Sequence, residues 1–316
     1  MKDLVDDVVL CIASFGDAAD LRNIALTCRR YGSAGPAVGA ASLAERAARA
    51  RVAAASDDER ARVPGTGARP PSWTTLYREL LLLRRPPAFD RILGRGIAHV
   101  NRNTSHVYVS LQEEPRRPPL REARRSLRFW PRAPAERAAG RRVSCAAVGN
   151  HVMRAGRHYV RFTMTRVDRI SFGIIRPSRT CVYNNTRSGE GFCPLALSAP
   201  PRKSSWGAGD VHCCLYATYP GSCQWTDWRT TTQTVENWRG MEHALEGDVG
   251  LLLDLEEGTL AVYKHDRRLG VIKDGLTGEY CWLMSIQGAC NPTAIMIRRG
   301  RMPMEPENFS FRVTHI

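Results

Sequence analysis

Lysine is nearly absent from this 316-residue chain. Of 46 basic residues only four are Lys, so the formal charge of +15 is carried by arginine. A charge of that size suits a nucleic-acid or anionic membrane surface, but its placement argues otherwise. Residues 1–142 hold 26 basic and 15 acidic side chains, while residues 143–316 hold 20 and 16. The excess therefore sits in the first part, where Arg travels with Ala, Pro and Gly. That mixture is what a GC-rich genome drifts toward in weakly constrained segments, and drift accounts for the charge better than a nucleic-acid footprint. No apolar run approaches the length of a membrane span. Met1-Lys2-Asp3 has neither the basic n-region of a signal peptide nor the acid-free character of a transit peptide. The ten cysteines form no C-x-x-C pair, and several fall in apolar stretches, where Cys behaves as a small hydrophobe. A reduced, cytoplasmic and/or nuclear protein is expected, with neither nucleic acid nor membrane as partner. With 43% hydrophobic residues the chain can bury a sizeable core, and its length favours two domains.

Signatures of catalysis are also missing. His212-Cys213-Cys214, with Cys223 further on, suggests a metal cluster, yet adjacent residues on a strand point to opposite faces and cannot both face one tetrahedral ion. Gly94-Arg95-Gly96 lacks the third glycine and the strand–loop–helix setting of a phosphate loop. Glu256-Glu257 sits in a turn, where paired acids are solvated. No catalytic residue, metal or cofactor is expected, and the protein reads as a non-enzyme.

What is present is a dense run of short strands. From Glu246 to Ile286, Asp248 to Leu253 is an apolar strand, and Glu256-Glu257-Gly258 turns it. Gly258 can take the positive φ that a tight hairpin needs. Thr259 to Tyr263 is β-prone, Lys264 to Arg267 is a polar turn, and Leu269 to Ile272 returns. Asp274-Gly275 and Thr277-Gly278 break the chain before Tyr280 to Ile286. Strands this short, turning this often, belong to an antiparallel sandwich, since a parallel sheet needs crossover helices. Upstream strands are expected at Phe89 to Val100, Val107 to Leu111, Tyr159 to Met164, Ile170 to Ile175 and Val211 to Tyr216, with Thr293 to Arg298 closing the fold.

The order Gly247-Asp248, Leu251 to Asp254, Glu257-Gly258, Leu260 to Tyr263, Leu269-Gly270-Val271 and Tyr280 to Trp282 resembles the signature of the SPRY domain, a β-sandwich used in protein recognition. The resemblance implies partner binding by loops at one end of the sheets, where aromatic and Arg side chains act as anchors. Arg176, Trp206, Trp225, Trp228, Trp238 and Arg239 are the candidates. Only some of them are expected to meet the partner, because large aromatics also fill sandwich interiors.

Leu4 to Tyr31 reads as two short amphipathic helices. Leu4, Val5, Val8, Val9 and Ile12 fall at helical spacing in the first. Asp17 caps the second, which places Leu21, Ile24, Ala25 and Cys28 on one face. The segment resembles the F-box, which docks substrate receptors onto the Skp-type adaptor of a cullin ubiquitin ligase. The matching residues are Leu4, Asp6-Asp7-Val8-Val9, Ile12, Ser14-Phe15, Asp17, Asp20-Leu21, Leu26 and Cys28-Arg29-Arg30-Tyr31. Val5 stands where the family has proline, and Gly16 where it has leucine. The resemblance implies an adaptor surface of Leu4, Val8, Ile12, Leu21 and Leu26.

The expected fold class is mainly β, an antiparallel SPRY-like β-sandwich preceded by a small α-helical F-box-like region. Residues 1–36 form the F-box-like helices, and 37–71 an Ala/Arg-rich connector that is either a solvated helix around Ser42 to Ala55 or a flexible link. Residues 72–299 form the sandwich with a helical preface from Trp73 to Arg85, and 300–316 a surface tail. Residues 113–142, with ten Arg and five Pro, read as a disordered insertion, because proline at that spacing forbids long helices and interior strands. Its alternative is an arm for RNA or acidic partners. The functional expectation is a non-catalytic substrate receptor of a Skp–cullin–F-box ubiquitin ligase, holding a protein target through the SPRY loops. The rival is a SPRY scaffold protein with no ubiquitin role, its helices only completing the fold.

Overall fold

Serine and aspartate side chains start the N-terminal helices. The computed structural model describes residues 16–27, 41–63, 72–111, 144–165, 170–177, 193–195, 204–206, 209–218, 221–229, 232–235, 247–287 and 290–303. Helix α1 is Ala18–Thr27, where the Asp17 carboxylate accepts from the amides of Ala19 and Asp20 at 2.7 and 2.9 Å. Helix α2 is Leu43–Ala53, capped by Ser42. Helix α3 is Asp57–Ala61, where Ser56 and Glu59 form a reciprocal capping box. Helix α4 is Trp73–Arg84, capped by Ser72. Glu45 of α2 reaches the exposed amides at the start of α4, accepting from Trp73 N at 2.7 Å, a favourable place for a carboxylate.

These helices share a core of their own. Leu21, Ala47, Ala48, Val52, Ala55, Val63, Leu76, Tyr77, Leu80 and Leu83 form one buried cluster. Residues 43–53 are therefore neither a solvated helix nor a flexible connector. Their buried face is built largely of Ala44, Ala47 and Ala48, small side chains that let α1 and α4 approach but leave a faint hydrophobic stripe in the sequence. Residues 37–40 and 64–71 of the expected connector, and the insertion at 113–142, lie outside the described residues.

Fourteen strands follow among the described residues: β1 Phe89–Gly94, β2 Ile97–Val100, β3 Asn103–Leu111, β4 Ser144–Gly149, β5 Arg157–Met164, β6 Ile170–Ile175, β7 Cys213–Ala217, β8 Ser222–Thr226, β9 Gln233–Val235, β10 Gly247–Asp254, β11 Thr259–Lys264, β12 Arg267–Lys273, β13 Cys281–Gln287 and β14 Cys290–Arg299. They form two seven-stranded sheets, sheet A in the order β1-β4-β13-β6-β7-β8-β9 and sheet B in the order β12-β11-β10-β5-β14-β3-β2. All neighbouring strands are antiparallel. The stretch read as one opening strand from Phe89 to Val100 is two, divided between the sheets. β4, β8 and β9 were not expected.

The principal core lies between the sheets and includes Phe162, Phe172, Tyr216, Leu251, Val262, Met284 and Ile295. The Phe162 and Phe172 rings stack across it with centroids 4.5 Å apart. The expected hairpin is β10–β11, in register from Val249↔Lys264 to Asp254↔Thr259, and Gly258 has φ +66° at its turn. Asp254 organises that turn by accepting from the amides of Glu256 and Glu257, both at 3.0 Å. The chain after β14 does not simply drift over the surface: Met302 packs on Tyr159, Leu252, Ala261 and Tyr263 on the outer side of sheet B.

Candidate functional site

Antiparallel alternation gathers the β4–β5, β6–β7, β8–β9, β10–β11 and β12–β13 connections at one end of the sandwich, and hydrogen bonds tie them together. Arg176, directly after β6, is fully buried there. Its guanidinium donates to the carbonyls of Thr277 at 2.6 Å, Glu279 at 3.1 Å and Gly209 at 3.3 Å, and it lies 4.1 Å from the Tyr280 ring centroid. A buried cation is tolerable only with such compensation, here from carbonyl dipoles and the negative face of an aromatic ring. Tyr280 donates its hydroxyl to Val211 O at 2.9 Å.

Trp206, on a 3₁₀ turn at Ser204–Trp206, and Trp228 complete the cluster. Both rings lie 5.1 Å from the imidazole of His212. Trp228 holds φ +58°, costly for a bulky residue. The conformation is secured at two points: its amide donates to Thr226 Oγ1 and its indole to Pro194 O, each at 2.9 Å. These rings cover the outer face of sheet A, over Val148, Ile175, Leu215 and Leu283.

The structure thus brings together Arg176, Trp206 and Trp228 from the sequence-derived anchors, but inside the protein. All three are buried, Trp228 the most accessible at 6%. They hold the loops to the sheet and present no surface in this state. Trp225, near the end of β8, is half-buried against the inter-sheet core with the Lys273 ammonium 5.2 Å from its ring. Trp238 and Arg239 lie outside the described residues. Sequence reading missed His212 and Tyr280 as members of the cluster. Their separation along the chain hides them, although a Tyr that ends a run of turns was a usable signal.

Among the expected adaptor-facing residues, Leu4, Val8 and Ile12 lie outside the described residues. Leu21 is fully buried in the helical core, so it is not available as a docking side chain. Leu26, on the same helix, is 74% exposed.

Four buried strand cysteines are chemically quiet. Cys213 belongs to the outer cluster of sheet A and Cys214 to the inter-sheet core, on opposite faces of β7 as strand geometry requires. Burial pushes the Cys223 and Cys281 thiols up to about 12, and Cys213 and Cys214 also upward, so the reactive thiolate is disfavoured. Among the described residues no group of three or more His, Cys, Asp or Glu is placed to hold a metal ion. No helix among them is long and apolar enough to cross a membrane.

No protein-family model matches the chain, and no curated protein matches it in sequence. Solved structures to which it is similar include the PSpry domain of TRIM65, at 15% identity over 68% of this chain and 90% of that one, with a TM-score of 0.39. The SPRY domain of human HERC1 matches at 14% identity over 50% of this chain and 84% of that one, TM-score 0.33. Stonustoxin matches at 11% identity over 67% of this chain but only 27% of its own length, TM-score 0.36. The architecture rests on the chain's own strand order: a mainly β protein of two antiparallel sheets packed as a sandwich, with a small helical unit before it.

Proposed function

We propose that the chain is a non-catalytic protein-recognition module, a SPRY-type sandwich that holds a protein target while the N-terminal helices dock to a Skp-type adaptor of a ubiquitin ligase. The SPRY reading is supported by the order of hairpins from Gly247 to Trp282, now placed on β10 to β13. The docking reading is carried by one observation: the helices own a separate core, and Leu26 stands 74% exposed on α1 outside it. An amphipathic helix docks by presenting such a side chain to an apolar groove.

The variant that tests this is Leu26→Asp, because Leu21→Asp would place a charge in the helical core and unfold the unit whether or not it docks. Co-purification of the full chain with a Skp-type adaptor should succeed for wild type and fail for Leu26→Asp, the two proteins melting at the same temperature. Failure of the wild-type chain to capture the adaptor would leave the scaffold reading. That second reading is favoured by Arg154, which ties the helices to the sandwich through Glu79 of α4 at 3.0 Å and Glu279 at 2.8 Å.

A further inference from the structure

Two histidines lie behind that tie. His151 and His158 have ring centroids 5.8 Å apart, where the β4–β5 connection meets the helices. His158 is 5% exposed, and its Nε2 lies 2.8 Å from the carbonyl oxygen of Ala155. The buried Nδ1 of His151 has no hydrogen-bond partner among the described residues. The charges that act on the pair are positive and come from both sides of the seam: Arg62 follows α3, Arg154 lies in the β4–β5 connection, and Arg299 ends β14. Arg299 also donates to the carbonyl of Arg85, at the end of α4, at 2.8 Å. The nearby carboxylates are engaged by arginines. Asp58 pairs with Arg62 at 2.5 Å, Glu59 with Arg84 at 2.8 Å, and Glu79 and Glu279 with Arg154.

We propose that this seam is an acid-opened joint: protonation of the His151–His158 pair, enclosed with Arg62, Arg154 and Arg299, drives the helical unit off the sandwich. In the closed state burial, and then the neighbouring positive charges, lower the His151 pKa to about 4 and the His158 pKa to about 3. Once the seam opens and water reaches the rings, they titrate near the ordinary 6.5. The open form therefore binds more protons below that value. Closure is at full strength above about pH 6.5 and is lost as pH falls toward 4 and 3. Between pH 7 and pH 5 each ring shifts the open-to-closed ratio about twenty-fold, and the pair several hundred-fold.

Hydrogen exchange of the full chain, read by mass spectrometry at pH 7.5 and 5.0 and corrected for intrinsic rates, tests the joint. Four short helices are marginal without the sandwich behind them, so peptides of α4 should lose protection by two orders of magnitude or more at pH 5.0, while those of β10 and β11 keep theirs. The double variant His151→Gln/His158→Gln should flatten that response. The single variant His151→Gln, which leaves the more buried ring in place, should reduce it to about twenty-fold. Protection of α4 unchanged at pH 5.0, an acid response that survives the double variant, or loss of α4 and β10 protection together would each overturn the proposal.

Discussion

Among the described residues, sheet A carries protein on both of its faces, whereas sheet B does so on one face and a corner of the other. Every residue of β4 and β7 is buried, and so is every residue of β13 up to Ile286. The outer side of sheet A lies under Trp206, Trp228 and the Pro194–Leu195 segment. The outer side of sheet B is instead crossed by ion pairs, Arg161 with Asp266 and Arg298 with Asp248, and leaves Tyr108 45% exposed. Among the described residues, only the corner around Tyr159 and Tyr263 is covered, by Met302. The sheet with a wet face can yield to a local change. The doubly covered one must transmit it to a packed layer.

Two glycines in mid-strand make that difference measurable. A Cβ on Gly173 of β6 would run into the carbonyl oxygen of Cys214 on β7, a backbone atom in the middle of sheet A. A Cβ on Gly250 of β10 would run into the Tyr159 ring, a side chain at the covered corner of sheet B. Gly173→Ala should cost more than about 3 kcal/mol, since two paired strands must separate, and Gly250→Ala about 1–3 kcal/mol, since a ring can tilt. Denaturant melts of the two variants would break the comparison if they lost equal stability.

The turn between β10 and β11 gives the next effect. Gly258 has φ +66° and donates no space: an added Cβ would lie 2.9 Å from Leu276 O. Gly258→Val should lower stability by roughly 1–3 kcal/mol, and an unchanged thermal midpoint would show that this turn relaxes freely. Gly258 was readable from the sequence, and the reason is the same contrast between sheets. β5 alternates as Arg157, Tyr159, Arg161 and Thr163 against His158, Val160, Phe162 and Met164, because sheet B has a wet side. β4, with sequence Ser-Cys-Ala-Ala-Val-Gly, is dry on both faces and shows no alternation. It follows the Arg- and Pro-rich stretch and went unread, as did β8 and the three-residue β9.

The site was legible in kind and not in role. Arg176, Trp206 and Trp228 stand out in the sequence by residue type, since large aromatics and Arg are the side chains that dominate both interfaces and interiors. What decides between those two places is which loops lie over them. That depends on pairings such as Arg176 with Thr277 and Trp228 with Pro194, far apart along the chain. The alanine face of α2 was hidden for a different reason, because alanine reads the same on a solvated helix and on a close-packed one. Leu21 and Leu26 looked equivalent until α2 and α4 buried one of them.

Two buried tyrosines beside sheet A supply the smallest and most discriminating test. Tyr280 donates its hydroxyl to Val211 O at 2.9 Å. Tyr216 of β7 is fully buried in the inter-sheet core, and its hydroxyl has no hydrogen-bond partner among the described residues. Burial also raises its pKa to about 12, so it remains a neutral phenol. Removing a satisfied buried hydroxyl strands its acceptor, and Tyr280→Phe should cost about 1 kcal/mol. Removing an unsatisfied one deletes a group that lost its water on folding and gained nothing in return. Tyr216→Phe should therefore be neutral or stabilising by up to about 1 kcal/mol. Paired thermal melts resolve a difference of that size in a domain like this one. Destabilisation of Tyr216→Phe comparable to that of Tyr280→Phe would mean that its hydroxyl is satisfied in solution, and that the inter-sheet core is less dry beside β7 than its side chains require.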